Sequence, residues 1–350
     1  MEKTDCSAAL RFGVICPSDV AFRRFMPALT KVKGACFAGI GVNSIEERFG
    51  NIVSDRAAAK AKIEAGRKKA EKFTWLYGGK IYESYEEIVN ASDIDALYIP
   101  LPPALHYKWA NKAIKAGKHV LVEKPATICY RDTKNLVEEA DRAGLALHED
   151  YMFVFHRQLQ EIDQIISSGE IGDIRLFRIS FGFPLRSAED FRYSKDLGGG
   201  AVIDACGYTI KYATYLLGNT AEIKYAAINY LPGFDVDMYG SGALVNKDRV
   251  TAQIAYGMDN NYKCELEAWG SRGCLSSGRV LTAPADFTPT VTLRKGNEEE
   301  TRELSKDDAF KQSIEYFIKC IHDKAERQKN YSDILKQAEL LDQFRSMAGA

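Results

Sequence analysis

The sequence predicts two domains: an α/β domain with a doubly wound parallel sheet over residues 1–149, and an α+β domain with a mainly antiparallel open sheet over residues 150–350. Short apolar, β-rich runs alternate with helix-like segments through the first part, and this alternation is typical of a parallel sheet covered by helices. After Gly169 the strand-like runs follow one another with one clear helix among them, which favours antiparallel pairing. A chain of 350 residues also exceeds the usual size of a single core.

The elements of the first domain follow in order. Strands are predicted at residues 11–16, 35–41 and 80–82, at the start of 94–102 and of 121–125, and at 145–148. Helices are predicted from Val20 and at residues 57–73, 85–89, 104–117 and 132–143. The segment 57–73 is rich in Ala, Lys, Glu and Arg, which are good helix formers, and Ser54 and Asp55 are candidate caps for it.

The second domain reads mainly as strands. They are predicted at residues 174–183, 223–230, 241–245, 250–256, 262–269 and 290–294. Helices are predicted at residues 208–216, 309–323 and 332–346, and the last two of these close the chain and could pack back on the first domain.

Composition narrows the class of protein. A hydrophobic content of 46% with 27% charged residues is that of a soluble globular protein. The net charge of −1 argues against a nucleic-acid or acidic-membrane partner. The eight cysteines are scattered singly, without a Cys/His cluster, so no metal site is predicted. The chain shows no apolar stretch of about 20 residues and no apolar signal segment, which predicts a cytoplasmic protein.

The most informative motif is Glu123-Lys124-Pro125, which ends a predicted βαβ unit. Parallel sheets bind their ligands at the carboxyl ends of the strands, so Glu123 and Lys124 lie where such a sheet places its chemistry. Taken alone, the pair could equally be an ion pair on a solvated turn.

Three blocks surround this motif, at residues 95–125, 149–184 and 190–218. The first resembles the cofactor domain of the glucose–fructose oxidoreductase, inositol dehydrogenase and rhizopine-catabolism (Gfo/Idh/MocA) family, and the other two resemble its dihydrodiol and pentose dehydrogenases. The resemblance implies an NAD(P)-dependent oxidoreductase that transfers a hydride between nicotinamide and a secondary alcohol or ketone of a sugar or sugar derivative. It implies that Lys124 lies beside the nicotinamide, with Glu123 next to it. It also implies a homo-oligomer, dimer or tetramer, because the open sheet face often mediates dimerisation in the family.

The phosphate turn departs from the family pattern. The resemblance places the glycine-rich turn at Cys16-Pro17-Ser18-Asp19-Val20, with Cys16 and Ser18 where the first two glycines usually stand. Ser18 could bond a phosphate oxygen, whereas Asp19 would repel phosphate unless it points away or caps the helix. A plain strand-to-helix turn without nucleotide is the alternative.

The end of the second strand lacks the acidic residue that usually binds the ribose of NAD. Asn43 and Ser44 are candidate ribose ligands, and Arg48 or Arg56 could reach a 2′-phosphate from the loop that follows. These features favour NADP slightly over NAD.

A second turn is expected to touch the cofactor. Leu101, Pro102 and His106 match the family's Pro-x-x-x-His turn beside the nicotinamide ribose, although His106 could instead satisfy backbone groups at the start of a helix. Val154 stands where related blocks usually carry an arginine, and Arg157 could replace it only if the helix there begins differently.

Tyr208 is the predicted proton donor, because hydride transfer to a carbonyl leaves an oxygen that must be protonated. A free phenol has a pKa of about 10, and Lys124 nearby would lower the pKa of Tyr208 and polarise the substrate oxygen. Asp204 is expected to orient Lys124 or bind a hydroxyl. Taken alone, Tyr208 could simply pack and Asp204 could simply cap a helix.

Substrate contacts are predicted from the same block. Tyr151, Arg192 and Lys211 are the candidates, and the two cations suggest an anionic or nucleotide-linked sugar. The three glycines at 198–200 would let the backbone approach the substrate, or serve only as a tight connection. Two other functions remain open: a lyase or glycosidase that uses bound NAD transiently, and a non-catalytic nucleotide or sugar sensor of the same fold.

Overall fold

The computed structural model describes residues 9–49 and 56–349, which divide into two compact units. The first unit contains the residues up to Ala126 together with Asp132–Asp150 and Ser313–Ser332. The second contains Thr127–Arg131, Tyr151–Gln312 and the residues from Asp333 onward. A late segment of the chain is therefore part of the first unit.

Six strands form the sheet of the first unit: β1 (Leu10–Val14), β2 (Ala35–Gly41), β3 (Lys80–Tyr82), β4 (Ala96–Ile99), β5 (His119–Glu123) and β6 (Leu147–Asp150). Their order across the sheet is β3–β2–β1–β4–β5–β6, and every neighbouring pair is parallel. This is the strand order of a dinucleotide-binding Rossmann domain. The predicted doubly wound parallel sheet is confirmed.

The helices between these strands begin and end at residues suited to those positions. They are α1 (Met26–Leu29), which continues a π-helical turn at Ala21–Phe25, α2 (Ile45–Phe49), α3 (Arg56–Tyr77), α4 (Tyr85–Asn90), α5 (Pro103–Lys115) and α6 (Tyr130–Ala143). Ser84 caps α4 by accepting from Glu87 N at 2.9 Å. The proposed caps of α3, Ser54 and Asp55, lie outside the described residues.

The strand β6 begins two residues later than the sequence suggests. Leu145 N donates to Ala140 O at 2.9 Å, so Leu145 still satisfies the last turn of α6. The strand therefore starts at Leu147 and includes Glu149 and Asp150, which brings two acidic residues to its carboxyl end.

Eight strands form the sheet of the second unit: β7 (Ile174–Gly182), β8 (Glu222–Tyr230), β9 (Asp237–Val245), β10 (Thr251–Gly257), β11 (Lys263–Gly270), β12 (Cys274–Gly278), β13 (Thr290–Lys295) and β14 (Glu298–Glu303). Their order is β14–β13–β12–β11–β7–β10–β9–β8. The β7–β10 pair is parallel and the others are antiparallel, so the prediction of a mainly antiparallel open sheet is confirmed.

Two of these strands were not predicted, because neither has a strand-like composition. The sequence of β12 is Cys-Leu-Ser-Ser-Gly, and β14 carries four glutamates. Cross-strand pairs stabilise β14 instead: Arg294 donates to Glu299, and the Thr292 and Thr301 hydroxyls lie 3.1 Å apart.

Four more helices complete the described chain: α7 (Arg157–Ser167), α8 (Gly207–Leu217), α9 (Ala309–His322) and α10 (Lys324–Met347). A π-helical turn, Val202–Cys206, leads directly into α8. Helix α10 begins eight residues before the predicted start at 332, because Asp323 accepts from the N–H groups of Ala325 (2.8 Å) and Glu326 (3.2 Å) and caps it.

One face of the second sheet is exposed, and we call it the open face. Arg178, Gln253 and Glu267 lie opposite one another across it. Three aromatic side chains, Tyr225, Tyr239 and Trp269, are 55%, 40% and 52% exposed on it. Single exposed aromatic residues are ordinary, but three on one sheet face indicate a surface suited to a partner.

Within residues 9–49 and 56–349, no helix combines the length and the apolar character that crossing a membrane requires. Over the same residues, no three His, Cys, Asp or Glu side chains are grouped so that they could hold a metal ion.

Candidate active site

Four loops follow the neighbouring strands β2, β1, β4 and β5 at the carboxyl edge of the first sheet. They contain the predicted cofactor residues of the phosphate turn, of residues 42–44, of residues 101–102 and of the Lys124 segment. Because carboxyl ends of parallel strands meet at one edge, the fold brings these predicted residues together.

The phosphate turn is a capped helix start. Ser18 Oγ accepts from Ala21 N at 3.1 Å, so the Ser18 side chain caps the helix. This bond does not use the hydroxyl hydrogen, so a contact from Ser18 to a phosphate oxygen stays a prediction. The first N–H groups of a helix have no acceptor within it. Those of Asp19 and Val20 therefore remain as donors at the edge of the sheet, which is the donor set that a pyrophosphate requires.

Asp19 does not oppose this use. Its side chain is 84% exposed, and its carboxylate lies 3.8 Å from Lys69 Nζ. The negative charge thus lies beside a lysine on α3. Pro17 is buried and Cys16 half-buried, so these small residues fill the turn where the family usually has glycine. The residues of this turn fit a dinucleotide.

The loop after β2 contains an S-x-x-E capping box. Ser44 Oγ accepts from Glu47 N at 3.2 Å, while Glu47 accepts from Ser44 N at 2.8 Å. Glu47 also accepts from the N–H groups of Tyr85 (3.0 Å) and Glu86 (2.9 Å) at the start of α4. Ser44 therefore caps the helix, and the roles of Asn43 and Ser44 as ribose ligands stay predictions. The S-x-x-E spacing was the signal that could have shown this cap.

His106 connects two of the loops at the edge of the sheet. It is fully buried, with Nε2 2.7 Å from Leu101 O and Nδ1 2.8 Å from Pro125 O. Two carbonyl partners favour a charged ring, but burial outweighs them and lowers the pKa of His106 to about 4. Both ring nitrogens face backbone, so His106 positions the Pro102 and Pro125 loops rather than reaching a ribose.

The Lys124 segment is held on both sides. Tyr98 donates to Glu123 Oε1 at 2.6 Å, and Ala126 N donates to Glu149 Oε1 at 2.8 Å. Lys124 itself is half-buried and lies between Glu123 and Ala126, which these two hydrogen bonds hold in place. Glu149 was not predicted, because its place in β6 follows from the late start of that strand.

In the second unit, Tyr208 lies in an aromatic cluster. Its ring centroid is 5.3 Å from that of Tyr151, 5.7 Å from that of Phe153 and 5.1 Å from that of Phe181. The preceding residue must be glycine, because a Cβ at Gly207 would overlap the Tyr151 hydroxyl. The predicted pair Tyr151 and Tyr208 is thus brought together.

Arg192 and Asp204 are also brought together, but as partners of each other. Arg192 Nε donates to Asp204 Oδ2 at 2.6 Å, and Arg192 Nη1 lies 3.1 Å from Asp190 Oδ1. Burial would lower the pKa of Arg192, yet the two carboxylates outweigh it and raise that pKa. The prediction that Arg192 offers its charge to an anionic substrate is not supported, since two carboxylates already neutralise it. The predicted role of Asp204, to orient Lys124 or bind a hydroxyl, stays a prediction.

The remaining cations take different positions. Lys211 Nζ lies 3.4 Å from Asp333 O and 5.8 Å from the centroid of the Tyr151 ring, so it stays near a predicted substrate residue. Arg157 opens α7 with its side chain exposed and pairs with Glu161 at 3.3 Å, so it does not replace the missing arginine at Val154.

The glycines at 198–200 form a tight connection. Gly200 has φ +114°, and a Cβ there would overlap the carboxylate of Asp237. Asp237 accepts from Val202 N at 2.7 Å and so holds the start of the turn that carries Asp204. Sequence reasoning missed Asp237, because it belongs to β9 and reaches the turn only through the fold.

Burial raises the pKa of Asp237 to about 6, from a usual 3.8. Because the folded pKa is the higher one, Asp237 costs stability as pH rises from about 4 to about 6, and the cost is constant above that. The difference corresponds to about 3 kcal/mol. We expect the loss of stability between pH 4 and pH 7 to be smaller by about this amount in Asp237→Asn. Urea midpoints at the two pH values measure it, and an equal loss in both proteins would contradict it.

Residues 37–151 match the family model "Oxidoreductase family, NAD-binding Rossmann fold", and residues 159–276 match "GFO/IDH/MocA C-terminal domain". The chain is 33% identical to a dTDP-3,4-didehydro-2,6-dideoxy-alpha-D-glucose 3-reductase from Actinomadura kijaniata, over 99% of this chain and 98% of the relative. It is 27% identical to a D-xylose 1-dehydrogenase (NADP(+)) from Haloferax volcanii, over 81% of this chain and 86% of that one.

Solved structures agree with these matches. A 3-ketoreductase from Actinomadura kijaniata, in complex with NADP and TDP-benzene, superposes with a TM-score of 0.87 at 33% identity, over 97% of each chain. Other solved forms of that reductase carry one lysine replaced by alanine or glutamate, or one tyrosine replaced by phenylalanine.

Proposed function

This chain belongs to the Gfo/Idh/MocA family of NAD(P)-dependent oxidoreductases, and we propose that it reduces a ketone on the sugar of a nucleotide-linked substrate, using NADPH. The observation that carries the proposal is the match over 99% of the chain to a dTDP-sugar 3-reductase. Retention of Lys124 and Tyr208 supports it, since both are residue types suited to ketone reduction.

The roles of the chain's own residues follow from their surroundings. When bound, the cofactor supplies the hydride. Lys124, held half-buried between Glu123 and Pro125, would polarise the carbonyl oxygen through its ammonium group. Tyr208 would deliver the proton, with its ring fixed by the aromatic cluster. Asp204 would keep Arg192 in place, and Lys211 would contact the substrate. Tyr151, predicted as a substrate contact, is fully buried and would instead support the Tyr208 ring.

NADP is favoured over NAD by the loop after β2. No acidic residue stands at positions 42–44. The carboxylate of Glu47, which follows in the same loop, already accepts from three backbone N–H groups. The related reductase binds NADP. The side chains of Arg48 and Arg56, the predicted 2′-phosphate ligands, lie outside the described residues. Since this cofactor and nucleotide-linked sugars are cytoplasmic metabolites, we place the reaction in the cytoplasm.

The test is a calorimetric titration of nucleotide-stripped protein with NADPH and with NADH. We expect NADPH to bind at least about tenfold more tightly than NADH. This ratio corresponds to about 1.4 kcal/mol of binding free energy from contacts with the 2′-phosphate. A dTDP-linked ketosugar should then oxidise NADPH, while the same sugar without its nucleotide should react far more slowly. Failure of both cofactors to bind would remove the reductase proposal and favour sensing of another ligand.

We also propose that two copies pair through the open face. Trp269 is 52% exposed there, with Arg178 5.9 Å from its ring centroid, and Tyr225 and Tyr239 are exposed on the same face. Trp269→Arg should convert the dimer to monomer in light scattering after size exclusion, because it places a second cation beside Arg178. Trp75→Arg is the matched control, since Trp75 is 83% exposed on α3. A dimer that persists in Trp269→Arg would exclude this face.

A further inference from the structure

A chain of hydrogen bonds lies buried behind the carboxyl end of β6. His148 Nδ1 is 2.9 Å from Asn330 Oδ1, and His148 Nε2 is 3.0 Å from Ser313 Oγ. Ser313 Oγ is in turn 2.6 Å from Asp150 Oδ1. All four side chains are at most 5% exposed and belong to the first unit. We call His148, Ser313 and Asp150 the buried chain.

Asn330 fixes which proton His148 carries. Asn330 Nδ2 donates to Leu147 O at 2.7 Å, so the amide cannot be reversed without placing its oxygen against that carbonyl. Asn330 Oδ1 therefore accepts, and His148 Nδ1 must carry a hydrogen. Nε2 remains as the nitrogen whose protonation is undecided.

Ser313 has one hydroxyl hydrogen to serve two neighbours. If it donates to Asp150, then His148 must donate to it, and the ring is positively charged. If it donates to His148, then Asp150 must be protonated and donate to Ser313. Either arrangement contains one proton shared between His148 and Asp150. With that proton absent, one buried acceptor would lose its hydrogen bond, which is costly.

The surroundings favour retention of this proton. Asp150 lies opposite Glu123 in the β5–β6 register, and Tyr98 of β4 donates to Glu123. Burial first, and then the charge of Glu123, raise the pKa of Asp150 well above its usual range. From α9, the Tyr316 ring lies 5.7 Å from the His148 ring.

Two other charged groups adjoin this region. Glu149 faces the other side of the strand and accepts from Ala126 N, and Lys124 follows Glu123 in the chain.

We propose that the buried chain holds one proton at neutral pH, shared between His148 and Asp150, and that this proton reduces the negative charge beside Glu123 and keeps the strand end that carries Lys124 in place. His148, Ser313 and Asp150 are thus positioning residues for the reductase. Their link to Lys124 rests on the proposed function, whereas the retained proton does not.

Proton release on unfolding tests the first half of the proposal. Above pH 7, an unfolded Asp and His together hold almost no proton, because their pKa values are about 3.9 and 6.5. The folded buried chain holds one, so stability should fall as pH rises from 7 to 9. We expect calorimetry in buffers of different ionisation enthalpy to show about one more proton released at pH 8 by the wild type than by Asp150→Asn.

Matched variants separate this role from simple packing. Ser313→Ala leaves both end groups, and it also removes a hydrogen bond that lowers the pKa of Asp150, so this variant should keep the extra proton that Asp150→Asn loses. Asp163→Asn in the second unit removes a half-buried aspartate, which accepts from Tyr215 at 2.8 Å, and should leave the release at pH 8 unchanged. Equal proton release by the wild type and Asp150→Asn would overturn the proposal.

The second half is tested by the pH profile of kcat/KM. The comparison is made with Tyr208→Phe as the parent, because this removes the phenol from the profile. The parent should lose residual activity on the alkaline side as the buried chain loses its proton, and the double variant with Asp150→Asn should lack this fall. An alkaline fall that persists in the double variant would overturn the positioning role. Absence of any sugar reduction would instead refute the proposed function, and the unfolding measurement would still decide whether the proton is held.

Discussion

Replacing Lys124 with methionine should lower kcat by about 10³-fold while the affinity for NADPH changes by no more than about threefold. Methionine keeps the length and the apolar stem of lysine but removes the ammonium group. That group is expected to act on charge that develops on the substrate oxygen, so its loss affects the transition state more than cofactor binding. Stopped-flow measurement of NADPH oxidation, with cofactor affinity from calorimetry, separates the two effects.

The control for this variant is Lys115→Met. Lys115 ends α5 in the same βαβ unit and is exposed, so the substitution makes the same change in net charge without affecting the strand end. We expect it to retain wild-type kcat. An unchanged rate in Lys124→Met would remove Lys124 from the chemistry, and an equal loss in both variants would point to a general effect of charge.

The second large effect is expected for Tyr208→Phe, which should reduce kcat by about 100-fold. Phenylalanine preserves the ring contacts with Tyr151, Phe153 and Phe181 and removes only the hydroxyl that is proposed to deliver the proton. Residual activity should no longer show the ionisation of a phenol in its pH profile.

Tyr212→Phe is the matched control, because Tyr212 lies one helical turn after Tyr208 in α8. Its buried hydroxyl makes no hydrogen bond within the described part of the chain. It should therefore leave kcat unchanged. A solvent isotope effect on kcat that survives in Tyr208→Phe would show that another group transfers the proton.

The parallel sheet could be predicted from the sequence, because its strands are short apolar runs between helix-like segments. Such a pattern depends on local residue preferences and is visible without the fold. The sequence was not sufficient for β14, whose glutamates have low strand propensity and are held by pairs with β13. The start of α10 was misplaced for a similar reason. Asp323 reads as the end of one helix, but its carboxylate also caps the next.

The site shows the same division. The motif around Lys124 was found from its position after a strand, which depends on local sequence. The partners of Arg192, by contrast, come from Asp190 and from a turn twelve residues later, so a cation that reads as free in the sequence is paired in the fold. Asp237 and Ser313 reach their sites from distant parts of the chain, and no local pattern marks them.

The division of the chain has a consequence for its synthesis. Asn330 and Tyr331, near the carboxyl end, bond the backbone carbonyls of Leu147 and Leu145 at the last strand of the first unit. A nascent chain that has reached residue 150 therefore lacks the groups that satisfy this strand. Domains usually fold in order as they emerge from the ribosome. Here the nucleotide-binding unit cannot be completed until translation has passed residue 331, so its edge strand remains a potential site of misassembly until then.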